Sequence, residues 1–140
     1  MTKLYLDTEF NGFGGALLSM ALVSPQGDEF YQVVAPPSLV DPWVQTHVMP
    51  KMYQKPVALR DFKDLLHVFL LKFSDPEVIC DWHADAVHFC ASLSGIDYGT
   101  SLDYACKISI LKTPPGQPTS LDPHNALADA KALMAWNEHR

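Results

Sequence analysis

The stretch LYLDTEF, Leu4 to Phe10, constrains the fold more than any other part of the chain. An apolar strand ends in two carboxylates, Asp7 and Glu9, and the two-residue period of a strand puts both on one face. Like charges on one face of a central strand repel, and burying them unpaired is expensive. Such a strand either stops at Leu6 and releases both acids to solvent, or it belongs to a sheet built around a bound cation. The NGFGG that follows favours the second reading, because a glycine-rich turn presents backbone N–H groups beside the acids and lets a ligand approach closely.

The remaining pattern fills in the sheet. ALLSMALVS (Ala16 to Ser24) and EFYQVVA (Glu29 to Ala35) read as strands, and the PQGD between them suits a hairpin turn. Asp41-Pro42 has the form of a helix cap followed by proline at the first helical position, opening a short helix WVQTHVM that Pro50 ends. ALRDFKDLLHVFLLKF (Ala58 to Phe73) spaces Leu59, Phe62, Leu66, Phe69 and Leu70 as one face of an amphipathic helix. Glu77 to Cys80 is a short apolar strand. Asp85 to Leu93 is a helix with Ala86, Phe89, Cys90 and Leu93 as its core face, ending near Gly95. Leu102 to Leu111 fits strand or helix, with helix preferred for most of it. TPPGQPTSLDP (Thr113 to Pro123) is a loop by composition, and ALADAKALMAWNEH (Ala126 to His139) is an alanine-rich helix. Strands first and helix-strand-helix alternation afterwards predict an α/β domain with a mixed sheet. At 140 residues and 48% hydrophobic composition the chain suits one core, residues 1–140, rather than two.

Composition narrows the class of protein. The longest apolar run, Leu65 to Phe73, is interrupted by His67 and Lys72 and is too short for a membrane span, and MTKLYLDTEF lacks a signal-peptide pattern. A soluble, cytoplasmic protein is expected. Cys80, Cys90 and Cys106 form no CxxC pair and sit among apolar neighbours, which reads as core packing in a reducing compartment. A net charge of −6 argues against clamping nucleic acid by a bulk positive field. It leaves open a site where cations turn clustered carboxylates into a phosphate receptor.

Two further stretches carry acids and histidines. In HNALADAKAL, His124 stands ahead of a helix and Asp129 interrupts its small-residue face of Ala126, Ala130 and Leu133, so Asp129 requires a partner. His124 alone is an ordinary helix-cap or loop histidine, although a loop would let its imidazole serve as a general base. VICDWHADAVHF (Val78 to Phe89) holds Asp81, His83, Asp85 and His88. The two histidines are five apart, off one helical face, with nothing to complete a tetrahedral set, so a zinc site is not expected.

Taken in order, D-x-E on the first strand, an aspartate midway and a C-terminal H-x-x-x-x-D resemble the DEDDh family of 3′-to-5′ exonucleases, over Leu4 to Asp129. DTEFNG and HNALADA are the most specific pieces, and DPWVQTHVMPK with the short length is similar to a small bacterial and phage exoribonuclease subgroup. The family's second motif commonly reads Asn, three residues, then Asp preceded by an aromatic; here Asp81, Ala84 and Asp85 occupy those positions. The resemblance implies a ribonuclease H-like mixed five-stranded sheet flanked by helices. It implies two Mg2+ ions, with Mn2+ as a substitute, held by Asp7, Glu9, Asp85 and Asp129, and His124 as the base that deprotonates the attacking water. Asp81 would then be a supporting hydrogen-bonding acid, with metal ligation the lesser role.

Phe10, Asn11, Gly12 and Phe13 would hold the terminal nucleotide, the phenylalanines by stacking, although core packing explains either ring equally well. Lys51, Lys55, Arg60 and Lys63 offer a modest phosphate-contacting rim or, more simply, a solvated helix face. The implied partner is single-stranded RNA or an RNA 3′ end, and a homodimer fits the resemblance. A 3′-to-5′ DNA exonuclease is the main rival. A non-catalytic nucleic-acid or protein interaction module and a small-molecule phosphohydrolase are further ones.

Overall fold

Alternation along the first strand organises the whole molecule. In the computed structural model, which describes residues 1–95, 97 and 99–140, strand β1 runs Lys3–Phe10. Leu4 and Leu6 point into one buried cluster and Tyr5 into another, so the sheet is buried on both faces. Strand β2 (Leu17–Val23) pairs antiparallel with β1, and β3 (Glu29–Val33) pairs antiparallel with β2. The PQGD turn closes this hairpin, with the Ser24 side chain accepting from the Asp28 N–H and donating to its carboxylate.

A short helix α1 (Pro42–His47) follows, capped by the Asp41 carboxylate on the Trp43 and Val44 N–H groups. Pro50 does not terminate α1 directly but sits within a separate 3-10 turn, Met49–Lys51. Helix α2 (Leu59–Leu70) buries Phe62, Leu66, Phe69 and Leu70, while Leu59, at its first turn, is exposed. Strand β4 (Glu77–Cys80) and helix α3 (His83–Leu93) come next, then strand β5 (Lys107–Ile110) and helix α4 (Ala126–Glu138).

The sheet order is β3-β2-β1-β4-β5, with β4 parallel to β1 and β5 parallel to β4. Helices α2 and α3 cover the Leu4/Leu6 face, α4 covers the Tyr5 face through Ala126, Ala130 and Leu133, and α1 packs Val44 and Val48 against Leu18. This is the mixed five-stranded, ribonuclease H-like α/β arrangement that the sequence implied. Among the described residues no helix is long and apolar enough to cross a membrane.

Three expectations are corrected. The helix preferred for Leu102 to Leu111 is absent: residues 102–106 are irregular and residues 107–110 form β5. Pairing with β4 from Glu77↔Lys107 to Cys80↔Ile110 satisfies this backbone, and alternate β-branched Ile108 and Ile110 suit a strand. The Tyr104 hydroxyl pins the irregular approach by donating to the Leu70 and Phe73 carbonyls at 2.8 and 3.1 Å. Helix α3 starts at His83, two residues early, and its fully buried line is Asp85, Phe89 and Ser92. Cys90 is consequently exposed rather than in the core; Cys80 is buried and Cys106 lies between the two.

Candidate active site

Strand β1 outruns its parallel neighbour. Its ladder with β4 covers only Lys3↔Glu77, Leu4↔Val78 and Tyr5↔Ile79, so Asp7 to Phe10 are paired on the β2 side and open on the other. Into this open edge come the ends of β4 and α3. By strand parity Asp7 and Glu9 share the face of Tyr5, which is the face that α4 covers. Asp81, two residues past Ile79, continues the same parity from β4. Asp85, in the first turn of α3, arrives from the opposite layer and replaces the missing strand: its Oδ1 accepts from the Thr8 N–H at 3.2 Å and the Thr8 hydroxyl at 2.6 Å. Asp129, in the first turn of α4, accepts the His124 N–H at 3.2 Å through Oδ2.

The five carboxylates fall into two groups with one shared member. Donor oxygens of Asp7, Asp81 and Asp85 lie within 4.8 Å of one another, and so do those of Asp7, Glu9 and Asp129. Asp7 Oδ2 and Asp85 Oδ2 are buried and accept no hydrogen bond. Asp85 is only 2% exposed, so its second oxygen meets neither water nor a donor. None of the ion pairs among the described residues includes one of these five carboxylates.

Burial without a counter-charge raises every carboxyl in the cluster. Desolvation, followed by the charges of Asp85, Glu9, Asp129 and Asp81, drives Asp7 well above the usual range. Desolvation and the neighbouring Asp129 push Glu9 up to about 9. Asp85 rises to about 7 through desolvation, with the Thr8 hydroxyl pulling the other way. Asp81 and Asp129 are raised by burial as well. Orphaned buried oxygens in an all-oxygen donor set fit hard divalent cations such as Mg2+ or Mn2+ rather than zinc.

His124 enters from a constrained loop. Its φ of 71° lies in the left-handed region, where histidine is one of the few tolerated residues. The preceding residues are tied down by Asp122, which accepts from Lys51 Nζ and the Tyr53 hydroxyl at 2.7 Å each, and Asn125 Nδ2 donates to the Lys51 carbonyl at 2.9 Å. Trp43 meets the imidazole edge-on at 5.3 Å and stacks on His47 from its other side. Two cavities meet at Asp7, Asp81 and His124. The larger, about 630 Å3, has Phe10, Phe13, Trp43 and Trp82 on its walls; the smaller, about 270 Å3, is lined by Gln117, Ser120 and Asp129 among others.

The structure therefore brings Asp7, Glu9, Asp85, His124 and Asp129 together at one end of β1. Of the nucleotide-contacting candidates, Phe10, Gly12 and Phe13 line the larger cavity. Phe10 stacks on His88 at 5.0 Å, whereas Phe13 is 89% exposed and faces Trp82 at 6.5 Å. Asn11 is occupied otherwise: its amide donates to the Leu39 carbonyl and its oxygen accepts the Asp41 N–H, fixing the approach to α1. Lys51 and Arg60 are paired with Asp122 and Asp97 rather than forming a free rim. Among the described residues neither His83 nor His88 joins a group of metal-ligating side chains.

Sequence reasoning missed Thr8, Trp43 and Trp82; Asp81, given a supporting role, stands with its carboxylate beside those of Asp7 and Asp85. Strand parity from Ile79 was the available signal for Asp81. The supporting hydrogen bond expected of it has no counterpart, because among the described residues its carboxylate takes none from another side chain or backbone group. No family model matches the chain, and no curated protein matches it.

Proposed function

We propose that the protein is a metal-dependent 3′-to-5′ exoribonuclease of the DEDDh type, releasing nucleoside monophosphates from single-stranded RNA or 3′ overhangs. The observation that carries this reading is the sharing of Asp7 between two carboxylate groups whose buried oxygens have no donor, with a histidine at their rim. The likeness of DTEFNG and HNALADA to the family's motifs supports it from the sequence side.

In this reading Asp7, Glu9 and Asp129 would hold one divalent ion and Asp7 and Asp85 a second. Ions so held supply charge stabilisation at the scissile phosphate and lower the pKa of water. His124 receives the proton of the attacking water on its imidazole, and its backbone tie to Asp129 fixes the ring's starting point. The Thr8 pair of hydrogen bonds orients Asp85. Trp43, Trp82, Phe10 and Phe13 offer apolar surfaces on which unpaired bases stack without regard to sequence. With few unpaired basic residues near the cleft, short single strands are the expected substrates. Free cysteines suit the reducing cytoplasm that the reading expects.

The test is incubation with 5′-labelled single-stranded RNA and DNA, with magnesium or with chelator. The reading expects a 3′-shortened ladder on RNA that chelator or Asp7→Asn abolishes. A ladder on DNA alone would replace RNA with DNA as substrate. No ladder on either polymer, or release of inorganic phosphate from nucleotides instead, would overturn it.

A further inference from the structure

We propose that Asp81 is a direct ligand in the metal centre, making a five-carboxylate site in which Asp7, Asp81 and Asp85 hold one ion and Asp7, Glu9 and Asp129 the other. This rests on the metal-dependent reading above and departs from the family pattern, where the position of Asp81 is commonly an asparagine.

Three observations carry it. Asp85 has one oxygen free, because Oδ1 is committed to the Thr8 N–H and hydroxyl while Oδ2 is buried and partnerless, and its carboxylate lies within 4.8 Å of those of Asp7 and Asp81. Asp7 is shared with the second group, and Asp81 sets a third carboxylate oxygen within 4.8 Å of those of Asp7 and Asp85, close enough for all three to meet one ion. Asp81 itself is half-buried, faces both cavities, and among the described residues accepts no hydrogen bond from another residue.

The absence of a donor decides between its two roles. A carboxylate that merely orients a ligand must hold that ligand by a hydrogen bond, and Asp81 has none to give or take from Asp7 or Asp85 while both are ionised. Repulsion from those two acids would swing it toward solvent. Its carboxylate instead lies within 4.8 Å of theirs, just past the end of β4. A shared cation is the partner that fits all three.

Calorimetric titration of the full chain with Mn2+ tests this directly, with Asp81→Asn and Glu9→Gln as the variants. The wild type should show two binding steps. Asp81→Asn should weaken one of them by about tenfold or more, and Glu9→Gln the other. A metal-free melting temperature of Asp81→Asn at or above wild type establishes that the variant is folded. If Asp81→Asn leaves both steps unchanged, weakens both equally as a general charge effect would, or weakens the same step as Glu9→Gln, the assignment is wrong. Failure of the wild type to bind Mn2+ at all would instead remove the metal-dependent reading on which it rests.

Discussion

Replacing Glu9 with glutamine should stabilise the metal-free protein while weakening its response to metal. Glu9 sits at the open end of β1 and is raised to about 9 from 4.5 by burial and the adjoining Asp129. At pH 7.5 the unfolded chain carries it ionised, so folding without metal must either protonate it or bury its charge. Protonation three pH units above its ordinary value costs about 4 kcal/mol at about 1.4 kcal/mol per unit. The direction follows from the raised value: stability tied to Glu9 is complete below about pH 4.5 and is lost as pH rises through about 9. Glutamine has the shape of the protonated acid and avoids the cost. In chelator at pH 7.5 the variant should therefore be more stable, by up to about 4 kcal/mol, or on the order of 10 °C in melting temperature for a chain of this size. The gain should vanish near pH 4.5. In saturating magnesium wild type should recover the difference, because only the carboxylate draws the ion. Thermal or urea unfolding across these three conditions reads all of this. A variant less stable than, or equal to, wild type in chelator at pH 7.5 would refute the account of Glu9 as a buried, unpaired acid.

Other expectations follow from the same geometry. The rise in melting temperature that magnesium gives the wild type should grow from pH 5 to pH 8, since Asp85, raised to about 7, and Glu9 shed protons to bind it; a flat or falling increment in a pH series would contradict this. Thr8→Val removes the 2.6 Å hydroxyl bond to Asp85. It should cost about 1–2 kcal/mol on unfolding in metal and weaken Mn2+ binding about tenfold, checked by calorimetry. Phe13→Ala deletes a ring that is 89% exposed, so stability should be unchanged while KM for single-stranded RNA rises by roughly 5-fold or more, from about 1 kcal/mol of lost stacking. Leu66→Ala in the core of α2 should cost about 2–5 kcal/mol in urea unfolding without altering metal stoichiometry.

What could be read from the sequence was what is local. Asp7 and Glu9 share a face because a strand alternates, and His124 and Asp129 belong together because a helix turns; neither inference needs the rest of the fold. β5 was not legible because four residues of edge strand carry little pattern of their own, and their backbone is satisfied only by β4, some thirty positions away. Cys90 was misplaced because α3 packs inward along Asp85, Phe89 and Ser92, which turns Cys90 outward. Trp43 and Trp82 gave no sign at all: their relation to His124 and Phe13 exists only once α1 and the end of β4 are folded against the glycine-rich turn. Thr8 was hidden for the opposite reason. Between two acids it looks like a spacer, and its role appears only when the sheet is seen to leave one edge of β1 open.

That open edge makes one backbone proton unusually informative. An amide inside a sheet ladder exchanges with solvent only when strands part, but the Thr8 amide is held by a side chain, Asp85, that also belongs to the acid cluster. Its exchange rate is thus tied to the state of that carboxylate rather than to sheet opening. In a hydrogen-exchange measurement the Leu6 amide, on a residue fully buried in the core, should report global stability, and Thr8, two residues on, should report the occupancy and protonation of the site. Neighbouring residues on one strand then separate the energetics of the fold from those of its chemistry, without any label or substitution.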